Sequence, residues 1–192
     1  MRAAPALLVL LAAGCREQAA PAAPPVPAPN NVSAVQVATP AEMAATRLAL
    51  DPEGVRLFHT VSGASRLIAF GTTRTEAQRA ISAASKAEPL EQEDSPDCGA
   101  AFARWPGGLQ AWFRDGKFSG WSVGPDSVAL STAGGLHPGS TRAELDAAVR
   151  ATRVPSTLGV EFSAGALGGL LDGTGPTARV SQLWAGTTCL AR

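Results

Sequence analysis

Five side chains in this sequence could do nucleophilic or acid–base chemistry of note: Cys15, Cys98, Cys189, His59 and His137. A hydrolase would need a histidine oriented by a carboxylate and facing a nucleophile. No Gly-x-Ser-x-Gly elbow is present, and His137 stands in Leu136-His137-Pro138-Gly139, a turn sequence. A small hydrolase using His59 or His137 remains the alternative reading. Metal binding is not indicated, because neither Cys98 nor Cys189 has a second ligand at finger-like spacing. The glycine-rich run from Gly165 to Gly175 lacks the Gly-x-Gly-x-x-Gly spacing and contains no Lys, so it predicts a loose hairpin and no nucleotide cofactor.

Cys15 has a different setting. Arg2 is followed by the apolar run Ala3–Ala13, which ends in Leu11-Ala12-Ala13-Gly14-Cys15. The run is shorter than the roughly 20 residues of a spanning helix and reads as the core of a secretion signal. The small residues, Gly and Cys resemble the lipobox of bacterial lipoproteins, with Ala12 where Leu is commonest. That resemblance implies a signal peptide over 1–14, acyl chains on Cys15 inserted in the bilayer, and a domain facing the periplasm. An ordinary cleaved signal beside a chance Cys is the competing reading. Arg16, by similarity to the enteric sorting rule, points to the outer membrane.

With Cys15 set aside, Cys98 and Cys189 are an even pair in an oxidising compartment. A disulfide across that loop would contribute on the order of 4–5 kcal/mol in the chain-entropy picture. Two buried free thiols are the other possibility.

Between the anchor and the domain lies a linker over 15–40. Residues 17–40 carry one charge, Glu17, and Pro21, Pro24, Pro25, Pro27 and Pro29 favour polyproline II. About 14 such residues would hold a domain roughly 40 Å from the membrane. The rest, 41–192, is one domain's worth of chain. The whole sequence has 16 basic and 16 acidic residues and no basic block, so nucleic-acid binding is not expected.

An internal repeat organises this domain, over about 67–123 and 135–190. Gly71-Thr72-Thr73-Arg74-Thr75-Glu76-Ala77 recurs as Gly139-Ser140-Thr141-Arg142-Ala143-Glu144-Leu145. Thr73 with Glu76, and Thr141 with Glu144, predict two capping boxes opening two short helices. The apolar stripes are Ala77, Ala80, Ile81 and Ala84 in one, and Leu145, Ala148 and Val149 in the other. The acidic stretch from Lys86 to Asp97 reads as a solvated loop. Strands are expected over 100–105, 109–114, 117–123, 160–163, 166–171 and 179–185. Asp115-Gly116 predicts a two-residue type I′ hairpin. Each unit is thus a helix followed by a three-stranded antiparallel meander. Two units in tandem predict an α+β fold, with an antiparallel sheet and both helices on one face.

The Gly-x-Thr-x-x-Glu helix start and the Asp115-Gly116-Lys117-Phe118 turn resemble the tandem-repeat family typified by the β-lactamase inhibitor protein. They are also similar to the small lipoprotein of the outer-membrane β-barrel assembly machine. The likeness spans about 67–190 and implies a sheet that binds other proteins. It transfers no functional residue, and the sequence has no Tyr, on which the inhibitor's binding face relies.

A two-residue turn would place Trp112 opposite Ser119 and Gln110 opposite Trp121. Alternation then puts Gln110, Trp112, Arg114, Lys117, Ser119, Trp121 and Val123 on one face. Tryptophans among cations and amides suggest a binding patch for an envelope protein, with Gln110, Trp112, Arg114, Lys117 and Trp121 as its candidates. Alternatively, Trp112 and Trp121 are packing neighbours covered by a loop at 48–68. Binding of a small apolar ligand between helices and sheet is a further option that the many small residues disfavour.

Overall fold

The computed structural model describes residues 45–127 and 129–190, all within one compact unit, Ala38–Arg192. Cys15, the signal over 1–14 and the linker over 15–40 lie outside the described residues. The fold is α+β, with antiparallel strand pairing within both sheets.

Three strands come first: β1 (Thr46–Asp51), β2 (Gly54–His59) and β3 (Ser65–Ala69). They form a sheet of their own in the order β1-β2-β3. Helix α1 (Arg74–Ser85) follows, then β4 (Glu91–Ser95), a 3-10 turn at Pro96–Cys98, β5 (Ala100–Arg104), β6 (Gln110–Arg114) and β7 (Lys117–Val123). Helix α2 (Arg142–Ala148) leads to β8 (Thr152–Val154), β9 (Val160–Ala164), β10 (Leu167–Leu171) and β11 (Val180–Gly186). These eight strands form one sheet in the order β4-β5-β6-β7-β11-β10-β9-β8.

Local chemistry explains the helix boundaries. Thr73 Oγ1 accepts the Glu76 N–H at 3.3 Å, and α1 stops at Lys86, whose φ of 55° is left-handed. At α2 the capping box is complete, with the Thr141 N–H donating to Glu144 Oε2 at 2.6 Å. At α1 the expected reciprocal half is replaced, since Glu76 Oε1 accepts from Arg66 at 3.0 Å.

Three sequence expectations need correction. Residues 46–69 are not a covering loop but a three-stranded sheet. The acidic stretch contains a strand, β4, whose Glu91, Glu93 and Asp94 sit on the sheet's outermost strand, where charge discourages further pairing. With β4 and the short β8, each helix is followed by four strands instead of three.

The register of β6 and β7 also departs from the expectation. Asp115 and Gly116 have φ of 49° and 69°, as a type I′ turn requires, and Phe113 pairs with Phe118. Beyond that pair the register shifts. Trp112 faces Gly120 and Gln110 faces Ser122, so β7 carries one extra residue, Ser119. The bulge turns every later side chain of β7 to the opposite face. Trp121 therefore points into the core, where it is fully buried.

That core is built on small side chains. Ala103, Ala111, Trp121, Ala185 and Leu167 are successive partners across five strands. All belong to one buried cluster with Ala77 and Ile81 of α1, Leu145 of α2, and Leu50, Val55 and Ile68 of the small sheet. Alanines flanking a tryptophan let neighbouring elements approach closely around a large apolar surface. Trp121 also ties the two sheets polarly, since its Nε1–H donates to the Asp51 carbonyl at 2.8 Å. Trp121→Phe removes this donor and should cost about 1–3 kcal/mol, the range for leaving a buried partner unmet. Urea unfolding followed by circular dichroism measures it.

Candidate functional site

The residues one step away from the alanine column point to the other face of the eight-stranded sheet. Phe102, Trp112 and Gly120 are partners across β5, β6 and β7. Arg104, Gln110, Ser122, Trp184, Gly168 and Ser163 are partners across β5, β6, β7, β11, β10 and β9. Neither Trp112 nor Trp184 belongs to the core cluster, although they are only 6% and 8% exposed.

The surroundings hold these rings flat and oriented. Trp112 and Phe102 have centroids 5.5 Å apart with planes tilted by 52°. The Trp112 Nε1–H donates to Ser122 Oγ at 3.1 Å. Trp184 lies across Gly168, where any Cβ would collide with the indole. Arg104 sits 5.9 Å over the Phe102 ring and pairs with Glu91 at 3.1 Å, giving the aromatic strip a charged rim. Fixed aromatics beside polar side chains suit recognition of another surface better than bond-making chemistry.

Of the residues singled out from sequence, Gln110, Trp112 and Arg114 share this second face. Arg114 is half-buried, and its Nε has no hydrogen-bond partner among the described residues. Lys117 is exposed at the hairpin end, and Trp121 is in the core. Phe102, Ser122 and Trp184 were not among the candidates. The alternation Ala101-Phe102-Ala103 and Leu183-Trp184-Ala185 carries their signal.

His59 is the last residue of β2, and His137 lies in the loop before α2. His59 Nδ1 accepts the Ser62 N–H at 3.1 Å and lies 2.8 Å from Ser62 Oγ, on an exposed hairpin end. His137 borders a depression of about 370 Å³ with Ser140, Glu144 and Ala148. Its Nδ1 donates to the Pro138 carbonyl at 2.7 Å, and Ser140 Oγ accepts the His137 backbone N–H at 3.1 Å. The Glu144 carboxyl is held below the usual carboxylate range by the Thr141 backbone N–H, then by the Thr141 hydroxyl, with His137 and Arg179 adding attraction. Each group that a hydrolase would use here is engaged in shaping the turn into α2.

Cys98 and Cys189 come to disulfide distance, with Cα atoms 5.9 Å apart. Among the described residues, no cluster of three or more His, Cys, Asp or Glu could hold a metal ion. None of the described helices is long and apolar enough to cross a membrane.

No family model, curated protein or solved structure matches the chain.

Glu144 gives a pH test. Its folded-state pKa is lowered, so its contribution to stability is present above the unfolded carboxylate value and is lost as pH falls through the folded one. Glu144→Gln should therefore melt below the parent chain at pH 7, and the gap should shrink towards pH 3. Thermal melts across that range measure it.

Proposed function

We propose that this chain is a lipid-anchored protein of the cell envelope whose domain binds other proteins through the open face of its eight-stranded sheet. The observation that carries the reading is the aromatic strip Phe102–Trp112–Trp184, held rigid on a face that the core cluster does not use. Tryptophan and arginine are among the residue types most often found at interface hot spots, and Trp112, Trp184, Arg104 and Arg114 lie on this face.

The domain is read as two tandem units, each a helix followed by an antiparallel meander, with both helices against the alanine column. Support comes from the repeated Thr–Glu helix starts and from the matching isolated bridges Thr73 with Lys117 and Thr141 with Arg179. The last strands of the two units, β7 and β11, pair at the centre of the sheet, so the strand order mirrors itself about that pair. The reading also draws on the resemblance of the Gly-x-Thr-x-x-Glu helix starts to the family of the β-lactamase inhibitor protein, in which a repeated sheet serves recognition. Support for the anchor comes from Leu11-Ala12-Ala13-Gly14-Cys15 and the Pro/Ala-rich stretch after it. By that reading, acyl chains on Cys15 hold the protein at the periplasmic side of the outer membrane, and the stretch to 40 spaces the domain from it.

The test uses the full chain in its own membranes, with a photo-crosslinking amino acid at Gln110. Adducts should form, and Trp112→Ala or Trp184→Ala should weaken their yield about 10-fold or more, as loss of a hot-spot aromatic does. Melting curves control for unfolding, and capture insensitive to both variants refutes the reading. Separately, Cys15→Ala should move the protein from the membrane to the soluble fraction with its circular dichroism unchanged.

A further inference from the structure

The segment after β11 crosses the open face at its Arg114 end. The Thr187 N–H donates to the Ser119 carbonyl at 2.7 Å, and Ser119 Oγ–H donates to the Thr187 carbonyl at 3.1 Å. A Cβ on Gly120 would stand 2.6 Å from the Thr187 carbonyl oxygen. Ser119 and Gly120 are the two bulge residues opposite Trp112, so Thr187 passes over β7 on the Trp112 side. Two residues later Cys189 reaches Cys98, in the turn between β4 and β5. Residues 187–189 thus run from β11 towards the far edge of the sheet, past the end of β6 that carries Arg114. Both cysteines are half-buried, not sealed in the core.

We propose that Thr187–Cys189 is a strap latched over one end of the open face by the Cys98–Cys189 bond, and that a dithiol reductant releases it. The proposal rests on the reading of that face as the binding surface and adds its regulation. The step is ordinary thiol–disulfide exchange. One thiolate of the dithiol attacks a cysteine sulfur, the S–S bond breaks, and the other cysteine leaves as a thiolate that takes a proton. The second thiol of the reductant then displaces the attacked cysteine from the mixed disulfide. Two cysteine thiols and one oxidised reductant result, with two electrons and two protons transferred. Once released, the strap is held at Ser119 by two hydrogen bonds that compete with water, and each is individually weak. Its departure uncovers Gly120, the residue paired with Trp112. The glycine is what makes a backbone able to lie there, since a side chain at 120 would occupy the strap's place.

Tryptophan quenching by acrylamide tests this in the full chain. Trp105 and Trp121 are fully buried in the core, so quenching reports Trp112 and Trp184, and a Trp184→Phe background isolates Trp112. Dithiothreitol should raise the quenching constant about twofold or more while circular dichroism stays native, the signature of a local release. The Cys98→Ser/Cys189→Ser variant should show the raised value without reductant. An unchanged constant in both cases overturns the proposal. A rise accompanied by loss of native circular dichroism also overturns it, because the bond would then be a staple of the whole fold. The Gln110 crosslinks separate the two ideas. Flat quenching with Trp112-dependent capture rejects the strap alone. Raised quenching with capture indifferent to Trp112 and Trp184 rejects the binding face and leaves the strap.

Discussion

One extra residue in β7 decides the organisation of this domain. Without Ser119, Trp121 would face the same way as Trp112, and the packed face would lose its one tryptophan on the central strand pair. With it, the indole of Trp121 drops among Ala103, Ala111 and Ala185 and reaches the Asp51 carbonyl of the other sheet. The bulge thus assigns one tryptophan to the core and leaves the other on the opposite face of the sheet. It also places Ser119 where its backbone and hydroxyl meet Thr187. Packing, the open face and the course of the last segment share this single irregularity.

The two faces follow different packing rules. On the packed face, alanines carry no rotamer entropy and allow close approach of helix and sheet, and the large side chains Trp105, Trp121, Phe113 and Phe118 fill the cluster around them. On the open face, glycines do the comparable work. Gly168 gives Trp184 a flat bed, and Gly120 gives the Thr187 backbone one. A ring held this way has already lost its side-chain freedom in the folded chain.

Much of the fold was legible because its signals are local. The Thr–Glu helix starts, the Asp115-Gly116 turn and the alternation in six strands rest on neighbours within a few residues. What was missed depends on distant partners. Glu91-Gln92-Glu93-Asp94-Ser95 has no apolar alternation, and it becomes a strand only because the free edge of β5 supplies a ladder. The bulge is invisible in Phe118-Ser119-Gly120-Trp121, since the extra residue is fixed by where Trp121 finds its cavity, a tertiary matter. The candidate site suffered accordingly. Gln110, Trp112 and Arg114 were placed on the correct face, Trp121 was carried to the wrong one, and Trp184 needed the β7–β11 pairing to bring it beside Ser122.

The span of the Cys98–Cys189 bond has a consequence for the order of events during biogenesis. The cysteines are 91 residues apart, and Cys189 follows all eleven strands. Synthesis delivers Cys98 long before its partner, so for most of that interval the thiol has no native mate. In the folded chain the docking of β11 on β7 is what brings the late cysteine within reach. The native bond therefore ties the last strand formed to the first turn of the eight-stranded sheet.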